Sequence, residues 1–575
     1  MKLNKYILMA SALLMGAAAY ADDFDDFGSF GDDGADSAAS KIEVNGSAET
    51  EIRAYVDTSD KEDKDGADKV EMDVTPSASI DLSYSGNKSD ISLTLKIDED
   101  TIKNHPEDVI DEAVLRGYFG NLTLEAGKMK VVWGKGDKLH VLDNFNADDY
   151  SDFIIPDYLD RRISTPMVRA VYSLPFANMN IEGVYTPLLP VDRFATEGRW
   201  TPAQVGELTG VVTASAKARV AASTTYLENI RMEATEASTL KALMSSGNDE
   251  AKTALTAMVT EAYNSGKIAY TNEEVAAALI KMGVNPLTAN DAQKLTAAQA
   301  VLAEKYQAYL TDELKAAETD YTLCLANANS LSADPSVIYP DLWTLKYSQY
   351  GARVTATLGQ VDLGLSYYNG WYKQPSFNAS KLNTFLDAYL ANGEVSEEDK
   401  FLAYDKKQTF GLEASSIIWH FNVRGEFAYN LTDDTDGTDP WVHNNSIAWL
   451  GGFDIDLPFW NANLNVQETG SFILHGDECD DFVADVEYNS KGYTNNKLVC
   501  NITTSFLNDK LAPEVTVMYG IERGDLVVMP KLAFKPDQNL TLTASGMIIN
   551  CADEDSEFYG WRKNSFASLT ASYQF

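Results

Sequence analysis

Apolar and polar side chains alternate along most of this chain. Ile42, Val44, Gly46 and Ala48 oppose Glu43, Asn45, Ser47 and Glu49. Ala78, Ile80, Leu82 and Tyr84 oppose Ser77, Ser79, Asp81 and Ser83, and Ile91, Leu93, Leu95 and Ile97 oppose Ser92, Thr94, Lys96 and Asp98. A strand turns successive side chains to opposite faces, so this period predicts strands with one apolar and one polar face. The pattern predicts about eighteen of them, with sixteen as the alternative count, at 41–56, 69–84, 89–98, 113–119, 122–132, 166–175, 178–186, 342–358, 361–370, 408–418, 420–431, 445–457, 462–474, 497–507, 513–522, 525–535, 539–550 and 566–575.

Short and long connections take turns between these strands. Ser85–Lys88, Gly120-Asn121, Pro175–Asn178, Gly359-Gln360, Trp419, Pro458–Asn461, Asn508–Ala512 and Pro536–Asn539 are the short ones. Among the others only Arg523-Gly524 is brief. Within the connection 196–340 the period changes. Thr201-Pro202 puts a proline where a helix can begin. Thr271-Asn-Glu-Glu274 and Thr296-Ala-Ala-Gln299 have the form of capping boxes. Val301, Leu302, Tyr306, Tyr309, Leu310 and Leu314 recur at helical spacing. About four helices follow, with breaks near Gly247, Gly266 and Pro286.

The two ends narrow the fold class. The last stretch, Phe566–Phe575, sets Ala567, Leu569, Ala571, Tyr573 and Phe575 against Ser568, Thr570, Ser572 and Gln574. It resembles the closing strand of bacterial outer-membrane β-barrels, which typically ends in an aromatic residue. The resemblance implies a role in membrane assembly for Tyr573 and Phe575. At the other end, Met1-Lys-Leu-Asn-Lys5, an apolar run to Ala19 and Ala19-Tyr-Ala21 read as a secretory signal peptide over 1–21. Residues 22–40 are acidic and Gly/Ser-rich, which predicts a disordered lead-in. The expected fold is thus an all-β transmembrane antiparallel β-barrel with a large inserted helical domain. Its parts are 41–195 (barrel, first part), 196–340 (helices) and 341–575 (barrel, second part). With a periplasmic N-terminus, parity places the long loops and the helices outside the cell, in a multi-pass barrel of the outer membrane.

Charge and chemistry then bound the function. The net charge of −40 argues against nucleic acid as a partner. Outer-membrane lipid, the barrel assembly machinery and small solutes remain as expected partners, with the oligomeric state open. The five histidines are scattered, and H-E-x-x-H, G-x-S-x-G and P-loop patterns are all missing. No enzyme, cofactor or metal centre is expected. Four cysteines allow three pairings, among them Cys479–Cys500; Cys500 and Cys551 are expected at the outer ends of their strands.

Trp133–Thr165 is too polar and aromatic to be a strand, and bases crowd its flanks. Its WGKGD start and acidic run resemble a group of porin-like outer-membrane proteins, over about 115–187 and the last strand. The resemblance implies a channel whose loop folds into the lumen. Pore-constriction candidates are Lys130, Lys135, Asp137, Asp148, Asp149, Arg161 and Arg162. The same residues could instead brace the loop against the wall, or Asp143, Asp148, Asp149 and Asp152 could gather a cation. Alternation points Glu49, Arg53, Asp81, Arg116, Glu125, Arg353, Asp362, Arg424, Glu426, Asp454 and Lys531 into the lumen. Two functions fit: passive passage of small hydrophilic solutes, or a surface adhesin or ligand-binding protein mounted on a barrel.

Overall fold

The structure is a computed structural model that describes residues 42–57, 70–152, 160–478, 484–485 and 492–575. The expected signal peptide and acidic lead-in lie outside these residues, as does Cys479. Eighteen strands form one sheet. They are β1 (Ile42–Tyr55), β2 (Met72–Ser85), β3 (Ser89–Ile97), β4 (Ile110–Phe119), β5 (Leu122–Met129), β6 (Thr165–Leu174), β7 (Met179–Thr186), β8 (Gln349–Leu358), β9 (Val361–Trp371), β10 (Lys406–Ile418), β11 (Phe421–Leu431), β12 (Ser446–Asp456), β13 (Asn463–Ile473), β14 (Thr494–Thr503), β15 (Leu511–Gly520), β16 (Leu526–Phe534), β17 (Leu540–Asn550) and β18 (Phe566–Gln574). Each pairs antiparallel with the next, and β18 returns to β1, so the sheet closes without an edge.

At the closure, Gly46 N–H donates to Phe575 O over 2.9 Å and Phe575 N–H donates back over 3.0 Å. A Cβ on Gly46 would lie 2.5 Å from the Phe575 ring, so glycine is what lets the terminal aromatic seat. Tyr573 lies opposite Ala48 on one side and Leu540 on the other.

The two faces of the sheet differ. Leu365, Leu412 and Leu569 stand on one face, 60%, 51% and 64% exposed. The other face is charged, and the register proves that it is one continuous face. Residues directly opposite in an antiparallel pair project the same way. Arg53 faces Ser568, Ser568 faces Ser545, Ser545 faces Lys531, and Lys531 faces Glu514. Across the ring, Arg116 faces Glu125, Glu182 faces Arg353, Glu413 faces Glu426, and Asp454 faces Asn465.

Contacts divide the chain into two compact units. One holds the barrel; the other comprises Glu207–Pro340 and Asn378–Phe401. Its helices are α1 (Ala203–Ser245), α2 (Asp249–Asn264), α3 (Asn272–Lys281), α4 (Asp291–Ala333) and α5 (Ala379–Asn392). The four helices expected before Pro340 are present. Thr271 caps α3 through the predicted box. Thr296 does not cap: α4 begins earlier, where Asn290 accepts from Gln293 N–H and the Gln293 side chain accepts in return. The fifth helix belongs to the stretch 341–575, which was expected to hold barrel strands alone. Its stripe Leu382, Phe385, Leu386, Tyr389 and Leu390 is buried, and α5 packs on α4. Elsewhere in this unit Leu255, Val259, Ala262, Leu302, Tyr306 and Leu310 form an apolar seam, and Tyr306 Oη donates to Glu233 over 2.6 Å.

Cys324, Cys500 and Cys551 are free thiols among the described residues, and the expected Cys479–Cys500 pairing involves a residue outside them. Cys500 does not sit at a strand end. It lies within β14, between Val466 and Val517.

Candidate functional site

The site lies in the connection from β5 to β6, through its described residues 130–152 and 160–164. Its chemistry starts at Trp133-Gly-Lys-Gly-Asp137. Here the backbone wraps one carboxylate of β11. Glu426 Oε1 accepts from Lys135 N–H (2.6 Å) and Gly136 N–H (2.7 Å), with His140 Nδ1 at 3.1 Å. Oε2 accepts from Val141 N–H (2.8 Å) and Leu142 N–H (3.3 Å). Successive N–H groups curled this way make an anion cradle. The wrap needs Gly134: its φ is +118°, and a Cβ there would stand 2.3 Å from Glu426 Oε1.

Further wall residues grip the same stretch. Gln467 Oε1 accepts from Lys138 N–H (3.1 Å), and Asn465 Nδ2 donates to Asp137 (2.6 Å). Arg424 bridges Asp137 and Asp454. Trp133 Nε1 donates to Glu182 over 3.1 Å. Below, Trp133 meets Phe145 edge-on at 5.0 Å, and Phe145 meets Tyr368 at 5.2 Å. Leu142, Met129, Met167 and Val184 complete that core. Asn146 clips both ends of the segment together: it accepts from Val131 N–H and donates to the carbonyls of Met129 and Ile163. Arg53 of β1 reaches Asp152 over 2.7 Å, and Lys407 of β10 donates to Asn144 over 2.8 Å.

A second connection supports the first. Arg193–Phe194, Ala147–Tyr150 and Arg162–Ile163 form a small three-stranded sheet. Arg193 pairs with Asp149 (3.2 Å) and Asp108 (2.7 Å). Asp192 accepts from Asp148 N–H (2.9 Å) and Gln374 (3.1 Å). Burial first, and the Asp148 charge second, push the Asp192 carboxyl up to about 6.

The candidates divide by partner. Arg162 is buried against Asp143 and donates to Asn146 O over 2.7 Å, the contacts of a brace. Arg161 meets Asp148 at 3.1 Å. Lys130 meets Asp111 at 3.1 Å, and the Lys135 backbone joins the Glu426 cradle. Asp143, Asp148, Asp149 and Asp152, the set considered for a cation, each meet an arginine. Asp108, beside His105 and Glu107, is likewise engaged by Lys128 and Arg193.

On the wall, acids and bases interleave. Arg116, Glu125, Arg169, Glu182, Arg353 and Glu413 form one chain of ion pairs across β4 to β10. Asp81 accepts from Thr94, and Asp362 accepts from Thr357, each over 2.7 Å. Lys531 stands 3.8 Å from Glu514, and Glu49 lies opposite Ser572.

Sequence reasoning missed Asp192, Arg193, Lys407, Asn465 and Gln467. Asn465 and Gln467 fall on the polar side of an alternating strand, but nothing local marks their partner. Asp192 and Arg193 follow Pro190-Val191 in a connection without a period.

The fold and site together define a closed barrel whose polar face is bound to one of its own connections. No protein-family profile matches the chain, and no curated protein matches it. Solved structures similar to it include Pseudomonas aeruginosa OccK5 (OpdH), with a TM-score of 0.38 and 8% identity over 93% of this chain and 98% of that one. Acinetobacter baumannii OccAB3 gives 0.39 and 10%, over 94% and 100%. The A. baumannii outer membrane channel DcaP gives 0.36 and 8%, over 94% and 99%.

Proposed function

We propose that this chain is an outer-membrane, porin-like channel for passive passage of small hydrophilic solutes, narrowed by residues 130–164 folded into the barrel. One observation carries the reading. This single connection touches β1, β7, β9, β10, β11, β13 and β15, always on the charged face. A loop lying outside a closed ring could not reach one face of strands so far around it. The opposite face supports the membrane half of the proposal, since a spanning barrel turns large apolar side chains to lipid. Its N-terminus is periplasmic and its long connections and helices are extracellular in this reading.

The Lys135 region and the interleaved wall charges set the solute's path, within a chain whose acids outnumber its bases, 86 to 46. Cations are favoured overall. The helical unit, with an apolar seam of its own, favours the second reading of an adhesin or binding protein mounted on a barrel. Purified protein in planar bilayers separates the two. A channel gives discrete conductance steps with a cation-selective reversal potential; a plugged mount gives none.

A further inference from the structure

We propose that Glu426 is the positioning residue that holds residues 134–142 inside the barrel, acting as an anion enclosed by the segment's own backbone N–H groups. This rests on the inward reading of the segment given above. Three features lead to it.

The first is composition. Of residues 134–140, Gly-Lys-Gly-Asp-Lys-Leu-His, only Leu139 is apolar. Apolar burial holds the segment at Trp133 and again from Leu142 to Phe145, and between them only Leu139 and Val141 pack, partly buried, against the core clusters. The second is donor count. Four backbone N–H groups and His140 Nδ1 converge on one side chain that is itself fully buried. A carboxylate offers about four lone-pair sites, as many as there are backbone N–H groups here, and no hydrogen to clash. Charge-assisted bonds of this kind are the strong ones, and each buried N–H left without an acceptor costs free energy. The third is backbone shape. Gly134 is held at a positive φ against Glu426 itself, so the WGKGD turn is fitted to this side chain rather than to the wall in general.

Glutamine decides between an anion and a mere filler. It has the shape of glutamate, yet half of its amide presents N–H groups to N–H groups. In a background with the four native cysteines replaced, a nitroxide attached at Lys135→Cys reports segment mobility, and planar bilayers report conductance. Glu426→Gln and Glu426→Ala should both mobilise the label and raise the time spent in a larger conductance level by about tenfold or more, about 1.4 kcal/mol being a factor of ten. Gly134→Ala should do the same from the other side of the contact. All variants are first checked for heat-modifiable migration, and Gly134→Ala keeps the test open if Glu426→Ala does not fold. A label in Glu426→Gln as ordered as the parent's overturns the proposal, because shape alone then suffices. If the parent gives no conductance at all, the channel reading fails, while the nitroxide still decides whether Glu426 pins the segment.

Discussion

The barrel and the helical unit bury apolar surface in opposite ways. In the barrel, large apolar side chains such as Leu365, Leu412 and Leu569 stand exposed, on the face that the proposed function turns to lipid. In the helical unit the large side chains turn on one another, so that Phe385 and Leu386 have no exposed surface. A strand needs only its alternation to do its part. A helix needs neighbours with a matching stripe. In the proposed membrane setting the barrel therefore depends on lipid, and the helical unit depends on having all of its pieces.

Excision gives the largest effect. The ends of the first insertion join β7 and β8, which are paired neighbours about 5 Å apart. Removing 207–340 together with 378–401, each replaced by a short Gly/Ser linker, should leave a heat-modifiable barrel. Removing 207–340 alone strips the cover from Leu382, Phe385, Leu386, Tyr389 and Leu390. That variant should aggregate or be degraded, as read by outer-membrane yield. Equal yields from the two excisions would dissolve the distinction.

Single substitutions sharpen it. Phe385→Ala should cost the helical unit about 3–5 kcal/mol, seen as protease sensitivity confined to that unit. Leu412→Arg, in the middle of β10, should cost the barrel about 2–4 kcal/mol of stability in lipid. Each effect should stay in its own unit.

The smallest effect concerns pH. Asp192 titrates at about 6 when folded, against about 3.9 unfolded. The native state then holds the extra proton between these values, so stability falls as pH rises from about 4 to about 6, and the penalty is complete above that. Asp192→Asn keeps an acceptor for Asp148 N–H and removes the charge. It should be more stable than the parent at pH 8 by about 1–3 kcal/mol and gain little at pH 4, measured by denaturant midpoints in lipid.

Much of this was legible in the sequence. All eighteen strands lie where alternation put them, because period two is a local property of each strand. Where the edges slip, the cause is also local: 342–358 begins late, at Gln349, because Leu345–Tyr347 turns as a 3-10 helix. The α5 stripe at 382, 385, 386, 389 and 390, ended by Gly393 in the left-handed conformation, was readable but sat among residues expected to be barrel. The site was only half readable. Trp-Gly-Lys-Gly marked the segment, but the carboxylate it wraps is 291 residues away from Lys135, and the amide oxygen of Gln467 is 329 away from Lys138. No local period carries that information. Arg162 stood open between constriction and brace because sequence shows charge but not its partner, and Asp143 lies against it.

The central claim is that residues 130–164 narrow an otherwise open barrel. Single-channel conductance of the parent, beside a variant in which 135–162 is replaced by a short Gly/Ser linker, tests it most directly. The account predicts small, cation-selective steps for the parent and several-fold larger, less selective steps for the variant, with both proteins heat-modifiable. Steps of the same size and selectivity from both would contradict it, because the segment would then have no part in the passage.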